Sequence, residues 1–480
     1  MTKLILKNLN LSHYDLILLP GFVQWDAIKL EKEFAVIIRK GPEFASDLPM
    51  ILNNIEKVSL STSIPANRIF KISGKNLYKE IVKEQVEIAK NNLGKHTFFI
   101  NETSSDIIIG RNLPPPIIAE IVNCTEKNDK NILKKTKHYI DSGADIIDIG
   151  CVANKPTPDR IKEIIRLIRQ NFDVLISIDS MESNEILAAV DIGIDMILSL
   201  DIGNYKEFLN IPKDIPIVIL PTNIRKAYFP KDPNTRIENL FKLTNELHQM
   251  GFTKLIADPL LETPISPGIC NSLEAYFLYK KKINQSKYQN IEVPLFFGIS
   301  NVVELMDIDS VGINGLLASI AMELDIGVFF TVEHSTKLMG GVTELKECVK
   351  LNYIAKNRKT PPINLGTTIF RAKGKTSQEI PNIDDKNAIL VDSLNPTYDP
   401  DEKGYFKIYL SHYNEKIYVL HFSNDHKLLH TLIGRNAEAI CKKLIDMKLS
   451  YNYYHINYLG RELNKAENCL FTGKPYIQDE

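Results

Sequence analysis

The chain lacks the features that would tie it to a large charged or apolar surface. Its 58 Lys and Arg balance 59 Asp and Glu, leaving a formal net charge of −1 over 480 residues. A general nucleic-acid or membrane-surface binder carries a clear excess of one sign, so no nucleic-acid partner is expected. No apolar run reaches the ~20 residues that a membrane-spanning helix needs. Six cysteines occur, none in a CxxC pair and with no signal-peptide pattern ahead of them, which points to a reducing, cytoplasmic setting. Five of the ten histidines (His412, His421, His426, His430, His455) fall in the last fifth of the chain, but their spacing matches no zinc pattern. No metal is therefore expected.

What is present is an ordinary globular composition, 44% hydrophobic and 24% charged, on a chain long enough for two to three domains. The triple proline Pro114–Pro116 fits neither a helix nor a central strand and reads as a stiff linker. A polar stretch without periodicity, Lys375 to Asn387, makes a second break. Three segments follow: an N-terminal α/β domain over 1–113, a central unit over 114–375, and a small C-terminal α+β domain over 376–480. In the first, DLILLPG and FAVIIRKGP read as strands and Tyr78–Asn91 as a helix. KGPEFASDLP (40–49) is either a plain strand-to-helix turn or an anion-binding one. The last segment opens with a hairpin, YFKIYLSH and KIYVLHFS, followed by helices over 436–447 and 457–471.

The central segment carries eight apolar runs: IIAEIVN (117–123), ADIIDIG (144–150), DVLISID (173–179), DMILSLD (195–201), PIVILPT (216–222), KLIAD (254–258), PLFFGIS (294–300) and GVFFTVE (327–333). Amphipathic stretches such as RIKEIIRLIRQ separate most of them. Strands buried on both faces read as continuous apolar runs, so the pattern predicts a closed TIM (β/α)8 barrel. No glycine-rich phosphate fingerprint follows the first run, which disfavours an open doubly wound sheet. The runs end at or near Asn123, Asp148, Asp179, Asp201, Thr222, Asp258, Ser300 with Asn301, and Glu333. In a barrel those ends share one rim. A rim of acceptors suits a flat heterocycle rich in N–H donors, because an ionised carboxylate only accepts. Metal binding is the competing use.

IVNCT, ADIIDIGCVANKPTPDR, ISIDS, ADPLLETP and GISN together resemble the pterin-binding barrel shared by dihydropteroate synthases and pterin-dependent methyltransferases. The whole arrangement, with its tail YLGRELNKAENCLFTGKPYIQDE, is similar to the dihydropteroate synthase-related proteins of methanogenic archaea. The resemblance implies that Asp179 and Asp258 hold the amino-pyrimidine edge of a reduced pterin, tetrahydromethanopterin-like or folate-like. It places Asn123 at the synthases' diphosphate-binding asparagine and Asp148 at the acid of their second-strand motif. The fourth-strand asparagine of the family falls on Leu198, with Asp201 nearby as a replacement.

The cations of the synthases are mostly missing. Their serine-threonine-arginine-proline run reads ANKP here and keeps only Lys155; their seventh-strand lysine falls on Val302, and the eighth-strand arginine and histidine on Thr331 and Glu333. GISNVVEL instead resembles the turn of the methyltransferases, whose asparagine lies near pterin N5, which makes Asn301 the catalytic candidate. Cys124, Cys151 and Cys270 read as small residues near the barrel mouth, with a thiolate acceptor or a three-cysteine metal site as the alternatives. The corrinoid-domain signature is absent, so a corrinoid, if one takes part, is carried by a partner. The resemblance thus implies one-carbon (methyl) transfer, with synthase-type condensation or a non-catalytic pterin-binding subunit as alternatives, and a homodimer as the remaining partner expectation.

Overall fold

The computed structural model describes residues 2–53, 55–57, 59–69, 74–103, 105–285, 288–369 and 401–479. The polar break at 375–387 and the boundary placed there lie outside the described residues.

Two parallel strands, β1 (Ile17–Leu19) and β2 (Ile38–Lys40), with short helices on them, begin the chain. Their carboxyl-terminal loops cross closely. A Cβ on Gly21 would lie 2.6 Å from the backbone of residues 41–43, so only glycine fits there. The stretch 40–49 is a strand-to-helix turn: Glu43 N–H donates to Asn67, and Asp47 pairs with Arg358. A 17-residue helix, Gly74–Lys90, follows and packs Tyr78 edge-on against Tyr353 of the barrel's last helix.

The antiparallel hairpin β3 (Thr97–Phe99) and β4 (Ile108–Gly110) was not anticipated. Its Phe98, Ile100 and Ile109 pack with Ile118, Ile146, Leu175, Met196, Val218, Ile256 and Val328. Those seven are the inward-facing residues near the amino ends of barrel strands, so the hairpin closes the barrel floor. The expected boundary at 113/114 therefore falls after a piece of the barrel core rather than before it.

Eight parallel strands close the barrel: β5 (Ile117–Ile121), β6 (Ile146–Gly150), β7 (Leu175–Asp179), β8 (Met196–Asp201), β9 (Ile217–Leu220), β10 (Leu255–Ala257), β11 (Leu295–Gly298) and β12 (Ile326–Val332). As in other barrels of this kind, alternate residues face in and out. Ile147, Ile149, Ile176, Ile178 and their counterparts join the outer core under the helices. Helices start where the sequence supplies caps. Asp232 accepts the Thr235 N–H at the head of Pro233–Gln249, with proline in its first turn, and Gly143 at φ 99° ends Asp129–Ser142. Between β8 and β9 only a 3₁₀ turn, Tyr205–Phe208, replaces the helix.

The C-terminal unit is a three-stranded antiparallel sheet, β13 (Tyr405–Ser411), β14 (Lys416–Phe422) and β15 (Leu428–Gly434), covered by helices Ala437–Asp446 and Tyr453–Thr472. The first two strands and both helices were expected. The third was not: β15 is an edge strand with only Leu432 buried, so it lacks the alternation that marks a strand in sequence. Tyr413, at the hairpin turn, meets the barrel by accepting from Asn131 Nδ2 at 3.2 Å. Among the described residues no helix is long and apolar enough to cross a membrane.

Candidate functional site

The carboxyl ends of the barrel strands surround a cavity of about 650 Å³. Its deep wall is apolar on one side, formed by Leu198, Val218, Leu220, Phe296 and Phe330, and acidic on the other. Asp179, Asp201, Asp258 and Asn301 all line it. Asn123, Asp148 and Lys155 do not.

Asp179 ends β7, and among the described residues no side chain or amide donates to its carboxylate. Burial pushes its pKa up to about 6. Asp258 follows β10 and is 7% exposed. One of its oxygens accepts the Leu260 N–H at 2.8 Å and the Tyr276 hydroxyl at 3.2 Å, which leaves the other for a ligand. Burial raises this acid to about 6 as well, against the opposing pull of those two donors and of Arg236.

Asp201 also borders the cavity but is already engaged. Its Oδ1 accepts from Gly203 and Asn204 N–H, and its Oδ2 from Ile224 N–H at 2.7 Å and Thr222 Oγ1 at 3.2 Å. Four donors fill a carboxylate's principal lone-pair sites, so Asp201 folds the loop after β8 and has little left for a ligand. Glu333 is similarly drawn outward: it accepts from His138 at 2.7 Å and from Val342 N–H at 3.0 Å, and these bonds with Lys135 outweigh burial and lower its pKa. The rim of acceptors expected from the sequence is thus divided between acids open to the cavity and acids that build the loops.

Asp148 is fully buried beneath the cavity. Its Oδ1 accepts from Ser177 at 2.6 Å, its Oδ2 has no partner among the described residues, and burial followed by the neighbouring acids Asp179 and Glu120 raises its pKa well above the carboxylate range. Asn123, in the left-handed region at φ 50°, opens the 3₁₀ turn after β5 and faces solvent. Lys155 spans the first two loops by pairing with Glu126 at 2.6 Å. Asn301 stands at the start of a short helix after β11, and its Nδ2 donates to Leu261 O at 3.1 Å. An amide nitrogen carries two N–H groups, so one remains for a ligand.

The residue missed in the sequence is Glu120. It lies on β5 beside Asp148 in register, faces into the cavity, and receives no hydrogen bond on its carboxylate from the described residues. Burial, then Asp179 and Glu304, raises its pKa to about 7. Its carboxyl lies over Gly150, where a Cβ would come within 2.0 Å of Oε1. The glycine of DIG is a niche for this acid. The signal was a lone carboxylate at an inward position of an otherwise apolar strand, between Ile118 and Ile121.

Among the described residues lining the cavity Arg225 is the one cation, and it is committed to Glu207, with a 3.1 Å bond to Ser183. Val302 and Thr331 are buried and His334 is exposed. Cys151 lines the mouth, but burial and then the adjacent acids Glu185 and Asp148 push its thiol far up; burial puts Cys124 at about 12. Neither is poised as a thiolate. No group of three or more His, Cys, Asp or Glu with metal-holding geometry occurs among the described residues.

A family profile described as "Pterin binding enzyme" matches residues 122–315, and one described as PterinBD-DUF4346 matches residues 400–479. An uncharacterized protein of Methanocaldococcus jannaschii is 32% identical over 469 residues, which cover 97% of this chain and 87% of that one. The chain belongs to the dihydropteroate synthase-related pterin-binding proteins. Within this family, the dihydropteroate synthase of Clostridium beijerinckii is 29% identical over 133 residues, 25% of this chain and 47% of the synthase. The structure of Yersinia pestis dihydropteroate synthase with a pterin-sulfa conjugate aligns with a TM-score of 0.39 at 19% identity, over 51% of this chain and 94% of that one.

Proposed function

We propose that the barrel cavity binds a reduced pterin of the tetrahydromethanopterin or folate type and that the protein moves a one-carbon unit, as methyl, from its N5 to an acceptor brought from outside. One observation carries this reading. The cavity presents Glu120, Asp179 and half of Asp258 as open carboxyl oxygens, while the one cation among the described residues that line it is held by Glu207. Acidic walls suit the N–H-rich edge of a pterin and repel a diphosphate, which needs cations around it.

The chemistry follows from the same groups. Breaking the N5–methyl bond leaves the electron pair on nitrogen, and an acid titrating near neutrality can supply the proton that makes nitrogen a good leaving group. Glu120, raised to about 7, has that property, and the spare N–H of Asn301 can hydrogen-bond N5 as charge develops. Burial pushes the Cys151 thiol at the mouth far up, so the acceptor in this reading is a separate thiol or a corrinoid carried by a partner protein.

The second reading is synthase-type condensation, supported by the name of the Clostridium relative. One assay separates the readings: titration with oxidised, dihydro- and N5-methyl-tetrahydropterins, then mass detection of demethylation with candidate acceptors and of dihydropteroate from 4-aminobenzoate and a pterin diphosphate. Methyl loss without dihydropteroate is expected. Dihydropteroate formation would overturn the proposal. Tight binding of methylated pterin with no product, given any acceptor in a cell extract, would leave a binding subunit.

A further inference from the structure

Arg236 is the largest fully buried side chain of the chain's described residues and belongs to neither reading of the site, since it does not line the cavity. It projects from the helix Pro233–Gln249 behind the segment 258–262. Its Nε donates to Pro230 O at 2.8 Å, its Nη1 to Leu260 O at 3.1 Å and Pro259 O at 3.3 Å, and its Nη2 pairs with Glu262. A planar guanidinium offers several donors in one fixed fork, and this one turns Nη1 and Nη2 to two successive carbonyls and a carboxylate of a single loop, with Nε tied to Pro230 O.

That loop carries both halves of the site. It begins with Asp258, whose carboxylate is held by the loop's own Leu260 N–H. Leu260 is in the left-handed region at φ 71°, a conformation a leucine keeps only when its surroundings fix it, and its side chain lines the cavity. Leu261 O receives the amide of Asn301, which comes from the short helix after β11. Glu262 N–H is tied to Ser272, so the loop is clipped at its far end too.

We propose that Arg236 is a positioning residue: by gripping 259–262 from behind, it sets Asp258 and Asn301 in one fixed relation, so that a pterin held by the acid is presented to the amide. The claim deepens the pterin reading and rests on it for the ligand, while its geometric part stands on the free protein.

Two variants test it, Arg236→Met and the milder Glu262→Gln, which keeps the cation and loosens the loop from one end. In the free full-length protein, hydrogen exchange over residues 258–263 speeds at least about tenfold in both, while residues 117–121 of β5 stay protected. With 6-methyltetrahydropterin as probe, affinity falls in both. The acid limb of binding moves to higher pH only in Arg236→Met, because the lost cation no longer favours ionised Asp258. Combined with Asn301→Ala, Arg236→Met costs less than alone, the non-additivity of groups acting through one another. Unchanged exchange in both variants, or strict additivity with Asn301→Ala, overturns the proposal. If Arg236→Met does not fold, Glu262→Gln decides by exchange and affinity. A wild type that fails to bind the probe sinks the pterin reading, and exchange alone then decides whether Arg236 sets the loop.

Discussion

Replacing Glu120 by Gln should make the protein more stable at alkaline pH while spoiling its site. The acid titrates at about 7 in the folded chain against an ordinary 4.5. Because the folded state holds the proton more tightly, the fold is favoured as pH falls, and the ionised carboxylate opposes folding in full above about pH 7. Each pH unit of difference corresponds to 1.36 kcal/mol, so the penalty at pH 8 is about 3 kcal/mol at most, and it fades to nothing by about pH 4.5. Glutamine has nearly the same shape, carries no charge, and offers an N–H toward Asp179. Urea unfolding of both proteins at pH 5 and pH 8 tests this: the variant gains at pH 8 and gains little at pH 5. A variant no more stable than wild type at pH 8 would refute the claim that Glu120 is a strained, proton-holding acid. Paid for at such a cost in stability, the acid fits the pattern in which functional groups destabilise the fold that carries them.

Other outcomes follow from the same geometry. Asp179→Ala and Asp258→Ala each leave ring N–H groups unpaired and weaken reduced-pterin binding by about 1–3 kcal/mol; calorimetry showing unchanged affinity in both would displace the site. Gly150→Ala puts a methyl 2.0 Å from Glu120 Oε1, so the acid is evicted and tetrahydropterin affinity drops, an effect that should vanish in a Glu120→Ala background. Asn301→Ala should lower methyl turnover roughly ten- to a thousandfold with a much smaller loss of binding, and normal turnover in a stopped-flow assay would remove its catalytic role. In the C-terminal unit, His421 donates to Lys403 O at 2.8 Å and contacts His430 at 3.1 Å, and burial lowers its pKa below 6.5. Its contribution to stability is complete above pH 6.5 and is lost as pH falls below it, so melts between pH 7 and 5 should drop less in His421→Phe than in wild type.

The barrel was legible because a strand buried on both faces writes itself as an unbroken apolar run, and eight such runs with helices between them leave few topologies. The loop chemistry was not. Asp179, Asp201 and Glu333 look alike in sequence, each an acid closing an apolar run, but Asp201 is filled by four donors from its own loops and Glu333 by His138 and Val342. Which oxygens stay open depends on donors arriving from distant residues. Glu120 was hidden for a different reason: it sits in mid-strand, where its significance depends on the inward parity that only the closed sheet fixes. The TFF and IIG strands of the floor hairpin were too short to carry a pattern, and β15 is too exposed to alternate.

The hairpin under the barrel makes the cavity a vessel with one opening. Whatever lies deepest must enter first and leave last, because nothing can pass Phe98, Ile100 and Ile109 at the other end. A pterin seated against Asp179 and Asp258 would therefore be stoppered by its own acceptor, and turnover would follow a compulsory order: acceptor in over bound pterin, methylated acceptor out, spent pterin released last. Inhibition by product pterin would then be competitive against methylated pterin, while an excess of acceptor docked on the mouth would slow the cycle by trapping the pterin beneath it.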